Sequence, residues 1–150
     1  MSFTRLLYHI VFRTKNSIPA LSIENETLLY SYVFGMIKNK NSKLYRIGGM
    51  PDHVHLLIDL HSSLSLSDFM RELKTSTNSW LKVHRQEFPL FSGWGTGYAA
   101  FSYNLSDKET IVNYIANQKE HHKTVSFADE YRQFIEVNGW EIDEKYFLKD

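Results

Sequence analysis

The chain has 150 residues, 43% of them apolar and 15% aromatic, and its 17 basic and 17 acidic side chains cancel to a formal net charge of zero. That is enough chain for one core, so a single domain over residues 1–150 is expected, and the even balance speaks against a non-specific nucleic-acid binder. Absence of cysteine excludes disulfides and thiolate metal sites and fits a reducing compartment, and with neither a signal-type N-terminus nor a run of about 20 apolar residues the expectation is a cytoplasmic protein without a membrane partner.

Charge is unevenly distributed. Residues 1–125 carry 14 basic and 10 acidic side chains, net +4, and residues 126–150 carry 3 and 7, net −4. The body can therefore present a basic face while an acidic tail, about residues 138–150, extends from it.

Residues 5–13, rich in aromatic and β-branched side chains, read as a first strand. A loop over residues 15–19 leads to Ser22, a suitable N-cap, with Glu24 and Glu26 where carboxylates favour the helix dipole. That helix runs to about residue 41 with Leu28, Leu29, Tyr32, Val33 and Met36 at helical spacing. Residues 43–47 form a second strand, and Gly48, Gly49 and Pro51 mark the turn into a third.

The third strand carries His53-Val54-His55. Alternation puts His53 and His55 on one face and Val54, Leu56 and Ile58 on the other, which is a core face. Two imidazoles fixed on one face of a strand can reach one metal ion; taken alone, the pair also reads as half-buried polar residues at a sheet edge. Ser65 or Ser67 caps a long helix to about residue 87, with an apolar stripe of Leu66, Phe69, Leu73, Trp80 and His84. A second stripe, Arg71, Lys74, Asn78, Lys82 and Arg85, is a basic row that reads either as a solvated face or as phosphate contacts.

A Gly- and aromatic-rich loop over residues 88–97 precedes a fourth strand, residues 98–103. Asp107 caps a third helix to about residue 123, packed through Ile111, Val112, Ile115 and Ala116. Tyr114, Gln118 and His121, at i, i+4 and i+7, share another face. A last helix over residues 127–137 ends at Gly139. The order β-α-β-β-α-β is that of a split βαβ, ferredoxin-like α+β unit, a four-stranded antiparallel sheet with helices on one face. Two C-terminal helices follow, the first carrying the tyrosine. The opposite face of the sheet is then free for a ligand, and His53 and His55 point there.

Four blocks, taken together, resemble a known family. They are Tyr8-His9-Ile10-Val11-Phe12-Arg13-Thr14-Lys15, Gly49-Met50-Pro51-Asp52-His53-Val54-His55-Leu56-Leu57, Gly97-Tyr98-Ala99-Ala100-Phe101-Ser102 and Tyr114-Ile115-Ala116-Asn117-Gln118-Lys119-Glu120-His121-His122. In this order, over about residues 5–135, they are similar to the single-tyrosine HUH transposases of the smallest insertion sequences, the IS200-like family. The HUH signature, His-hydrophobic-His, is met by His53-Val54-His55.

The resemblance implies a dimerising protein that cuts single-stranded DNA at hairpin-bearing element ends and rejoins it through a covalent 5′-phosphotyrosine. It makes Tyr114 the nucleophile, His53, His55 and Gln118 ligands of a divalent ion, Mg²⁺ or Mn²⁺, and allows the tyrosine of one subunit to complete the metal site of the other. His121 is a candidate base. Imidazole ligands suit Mn²⁺ better than Mg²⁺. Single-strand binding wants cations and aromatic platforms: Arg71, Lys74, Lys82, Arg85, Lys15 and Arg46 are candidates for the first, with Lys38, Lys40 and Lys43 behind them, and Tyr8, Phe12, Phe91 and Trp94 for the second. Two alternatives remain open: a catalytically silent or domesticated nucleic-acid-binding module of the same fold, and a metal-dependent phosphodiesterase that uses water.

Overall fold

The computed structural model describes residues 1–150. Four strands, β1 (Leu7–Arg13), β2 (Lys43–Met50), β3 (His53–Asp59) and β4 (Ala99–Ser102), form one antiparallel sheet in the order β2-β3-β1-β4. The helices are α1 (Glu26–Asn39), α2 (Leu66–Val83), α3 (Lys108–Ala116), α4 (Gln118–His121) and α5 (Phe127–Val137). This is the ferredoxin-like arrangement, with β1 and β3 at the centre of the sheet.

Alternation along β1 and β3 builds the main core. Ile10, Phe12, Val54, Leu56 and Ile58 point to one face and pack against Leu29, Val33 and Ile37 of α1 and Phe69, Met70, Leu73 and Leu81 of α2. Each fully buried side chain of this size contributes about 1.5–3 kcal/mol of transfer free energy. Ser65 caps α2, its Oγ accepting from the Asp68 amide at 3.1 Å. Ser22 makes no such contact, because a 3₁₀ turn over Ile23–Asn25 intervenes and α1 starts only after Asn25.

The second face is not free. Leu7 and Leu57 leave an apolar strip among its polar residues, and Ile111 and Ile115 of α3 cover it. The C-terminal helices thus form a second layer over the histidines, with α1 and α2 on the far side. Lys119 ties this layer down, donating to the Gly49 carbonyl at 2.6 Å and pairing with Glu26 at 2.9 Å.

Strand β2 is longer than its sequence suggests. Gly48 and Gly49 pair with His55 and Val54, and only Pro51 and Asp52 turn. These glycines serve close approach. A Cβ on Gly48 would lie 2.7 Å from the Ile115 carbonyl oxygen, and one on Gly49 would lie 2.2 Å from that of His53. Helix α3 therefore seats directly on the β2 backbone. The expected third helix is also interrupted, at Asn117, which separates α3 from α4.

The acidic tail does not extend away. Glu144 pairs with Arg132 of α5, the Arg132 guanidinium lies 4.4 Å from the Phe147 ring centroid, and the Asp150 carboxylate reaches Arg13 at the end of β1. No helix is long and apolar enough to cross a membrane.

Candidate metal and tyrosine site

Strand β3 delivers His53 and His55 to the face beneath α3, α4 and α5, at 0% and 1% exposure. Burial of two imidazoles requires partners for all four ring nitrogens, and each has one. His53 Nδ1 donates to Asp52 Oδ1 at 2.7 Å, and its Nε2 to Gln118 Oε1 at 3.0 Å. His55 Nε2 donates to Glu130 Oε1 at 3.0 Å. Its Nδ1 then carries no proton and accepts from His9 Nε2 at 2.9 Å.

Glu130, on α5, is the hub. Its carboxylate also accepts from Gln118 Nε2 at 2.9 Å, from His122 Nε2 at 3.1 Å and from the Tyr114 hydroxyl in a short contact. His121 Nε2 lies 3.3 Å from Glu130 Oε2 and 3.5 Å from the Tyr114 oxygen. Phe127 stacks on His53 at 4.2 Å between centroids, so α5 contributes both the wall and the charge.

Electrostatics follow from this packing. Burial opposes a proton on His53, but the Asp52 and Glu130 carboxylates outweigh it and raise its pKa to about 9. Burial dominates at His55, lowering its pKa to about 4 against the pull of Glu130. His9 falls to about 3, through burial and then the proximity of His55. Burial works against the Glu130 charge, yet hydrogen bonds from His53 and His55 hold its pKa well below the carboxylate range. Tyr114 is pushed above the usual phenol value by burial and by its bond to Glu130, so the resting tyrosine is neutral.

The ligand atoms of His53, His55 and Glu130 all lie within 4.8 Å of one another, as do those of His121, His122 and Glu130. The first trio suits a divalent ion in donor type and in its surroundings. Both Nε2 atoms face the carboxylate, and both Nδ1 atoms are steered by a second group, the outer-shell arrangement that orients metal-binding histidines.

The sequence-derived site residues therefore divide. His53, His55, Tyr114, Gln118 and His121 come together within one chain. The basic candidates do not join them. Helix α2 lies on the far face of the sheet, so Arg71 and Lys82 are exposed there, and Arg85 falls beyond the end of the helix, breaking the row. Lys74 is engaged by the Gly95 and Gly97 carbonyls at 2.9 and 2.6 Å. Lys15 and Arg46 are exposed on loop and strand. Phe12 and Phe91 belong to the core, at 2% and 4% exposure, which removes them as stacking platforms; Tyr8 and Trp94 pack against the same core.

Sequence reasoning missed Glu130, His122 and His9. A signal for Glu130 was present. In helix α5, Phe127, Glu130, Tyr131 and Phe134 recur at spacings of 3, 1 and 3, so Glu130 sits on the apolar face, where an unpaired carboxylate is disfavoured.

The family profile "Transposase IS200 like" matches residues 2–118. The chain belongs to the IS200-like transposase family. It is 27% identical over 125 residues to the transposase for insertion sequence element IS200 of Salmonella typhimurium, covering 77% of this chain and 78% of that one, and matches the Salmonella typhi protein equally. Two solved structures share the fold of this transposase. A candidate transposase of Deinococcus radiodurans superposes with TM-score 0.60 at 24% identity, over 78% of this chain and 93% of that one. A REP-associated tyrosine transposase bound to a REP hairpin gives TM-score 0.62 at 15% identity, over 100% of this chain and 92% of that one. Gln118 is the last residue of the family match, so His122 and Glu130 lie beyond it.

Proposed function

We propose that this transposase cuts and rejoins single-stranded DNA at hairpin-bearing ends, with Tyr114 as nucleophile. One observation carries the reading: in one chain the Tyr114 hydroxyl meets the carboxylate that also binds His55, His122 and Gln118. The structural relative bound to a REP hairpin supports a hairpin substrate.

His53, His55 and Gln118, with Glu130 beside them, would hold a divalent ion, Mn²⁺ or Mg²⁺. When bound, such an ion supplies Lewis acidity toward the scissile phosphate. The remaining chemistry belongs to the chain. Glu130 sits where it can take the phenolic proton as the Tyr114 oxygen attacks phosphorus. The P–O3′ bond breaks, the 3′ oxygen leaves and takes up a proton, and the 5′ phosphate stays on the tyrosine. Attack by another 3′-hydroxyl on that phosphodiester releases Tyr114 and returns its proton. One phosphodiester exchanges for another, so no ATP is required.

Glu130, rather than His121, is the nearer proton acceptor. The imidazole of His121 is 3.5 Å from the phenolic oxygen, a long contact. His121 Nε2 instead lies 3.3 Å from Glu130 Oε2. Because nucleophile and histidines meet within one chain, the tyrosine acts in cis in this arrangement; a homodimer would pair two complete clusters.

The test is incubation with single-stranded DNA from the flanks of its own gene plus Mn²⁺. A denaturation-resistant protein–DNA adduct is expected from the native chain and none from Tyr114→Phe. Cleavage that survives in the Phe variant would reject the tyrosine and favour attack by water. Hairpin binding without any adduct would leave a catalytically silent binding module.

A further inference from the structure

Outside the set of residues that meet Tyr114, one carboxylate gathers two guanidinium arms and two backbone amides. Asp150 accepts both arms of the Arg13 guanidinium, Nη1 to Oδ2 at 2.9 Å and Nη2 to Oδ1 at 2.8 Å. It also accepts the Thr96 amide at 2.8 Å and the Asn16 amide. The Arg13 and Asp150 side chains are each only 5% exposed. Arg13 makes a longer contact to the Lys149 carbonyl at 3.4 Å.

These donors belong to the folded body rather than to the tail. Arg13 ends β1, and Asn16 adopts a left-handed backbone (φ 56°) in the loop that follows, a conformation asparagine tolerates. Gly95 gives the guanidinium its bed: a Cβ there would lie 3.0 Å from Arg13 Cζ and Nη1. Lys74, anchored to the carbonyls of Gly95 and Gly97, adds a second positive charge close by. A planar guanidinium fork plus two converging amides matches the oxygens of a phosphate as well as those of a carboxylate.

We propose that the Arg13, Asn16 and Thr96 pocket binds a backbone phosphodiester of single-stranded DNA, and that Asp150 occupies it as an internal stand-in. Location supports the assignment. Arg13 is the direct cross-strand partner of His53, so the two Cα atoms are about 4.5–5.5 Å apart and their side chains leave the same face. A strand lying across the tyrosine cluster would therefore run past this pocket. Tail and DNA then exclude each other, and the segment that closes the pocket carries the concentrated negative charge of the chain. The inference rests on the proposed DNA substrate but not on the cleavage chemistry.

The test is fluorescence anisotropy with a 12-nucleotide oligothymidylate in EDTA, titrated over a range of KCl concentrations. Asp150→Asn should bind about tenfold tighter, the effect of one charge-assisted contact. It should also steepen the log affinity–log salt slope by about 0.7, one additional single-strand phosphate contact. Glu141→Gln, the same charge change at an exposed tail position, should leave the slope unchanged. Arg13→Gln placed on Asp150→Asn should cancel both gains. Gly95→Ala, which displaces the guanidinium without removing it, should cancel them in part and covers the case in which Arg13→Gln does not fold. No gain in Asp150→Asn, or a gain that persists in the double variant, overturns the pocket. Adduct formation with Mn²⁺ is scored separately: an adduct beside a null binding result sinks only the pocket, and a positive binding result without an adduct sinks only the chemistry.

Discussion

Gly48→Ala probes how the sheet positions Tyr114. The new Cβ would stand 2.7 Å from the Ile115 carbonyl oxygen and 3.0 Å from its Cγ2, where ordinary contact begins at 3.4 Å. The carbonyl is backbone and cannot rotate aside, so α3 must lift by about 0.7 Å, or β2 must sink by as much. Overpacking of this kind costs about 1–3 kcal/mol; for a chain of this size a loss of about 2 kcal/mol lowers Tm by about 4–8 °C. Ile115 follows Tyr114 directly, so the phenol moves with it. A misplacement approaching 1 Å reduces rate by up to about 100-fold. Thermal unfolding and single-turnover adduct formation should therefore both register the change. Gly35→Ala is the control: it lies inside α1, where an added Cβ meets nothing within 4 Å, and helix propensity should favour it by about 0.5–1 kcal/mol without altering the rate. If Gly48→Ala forms the adduct at the native rate with an unchanged Tm, α3 does not seat the tyrosine as described.

Other expectations address the cluster itself. Glu130→Gln preserves shape and removes the charge, and should slow adduct formation by about 10²–10⁴-fold in single-turnover assays; a native rate would exclude Glu130 as proton acceptor. His9→Phe removes the hydrogen-bond partner of His55 Nδ1, and Mn²⁺ binding measured by calorimetry should weaken about 10–100-fold. Mixing Tyr114→Phe with His53→Ala chains should restore no adduct, since each site is complete in cis; recovery would indicate exchange of the tyrosine between subunits. In EDTA, stability should peak near pH 6.5. His53, raised to about 9, contributes stability that is fully present below its unfolded value and lost as pH rises toward 9. His55, lowered to about 4, contributes stability present above its unfolded value and lost as pH falls toward 4. Each group contributes a slope of at most about 1.4 kcal/mol per pH unit, and His9, lowered to about 3, adds to the acid limb in the same direction as His55. Denaturant unfolding from pH 4 to 9 checks this, and a monotonic profile would contradict the assigned protonation states.

The parts of this architecture that follow from local alternation were readable in the sequence. Val54, Leu56 and Ile58 announce the core face of β3, and the histidines between them announce the other. The extent of helix α5 and its stop at Gly139 were legible; its cap, the Ser126 hydroxyl accepting from the Asp129 amide at 3.1 Å, was found only in the structure. What failed depended on contacts distant in sequence. Gly48 and Gly49 look like a turn because nothing local reveals that Ile115, some 67 residues later, must approach their backbone. The apparent basic row holds only from Arg71 to Lys82, because α2 ends at Val83, and periodicity does not say which side of a sheet a helix will cover. Tyr114 and Gln118 were legible as a shared helical face, and the family resemblance gave them roles. Glu130 was hidden because its pairing with β3 spans about 75 residues, although a carboxylate on an apolar stripe was a clue left unused.

Glu130 also sets a trade-off between retention and pull. His53, His55 and Gln118 are uncharged donors when an ion is bound, and by themselves would leave a divalent ion its full +2. With the Glu130 carboxylate alongside, the local sum falls to +1. An ion held there would be bound more firmly, and an approaching anion drawn less strongly. On the proposed chemistry the last helix would act as a dial between keeping the metal and gripping the DNA, and shortening its reach by one methylene, Glu130→Asp, would turn that dial without altering the histidines.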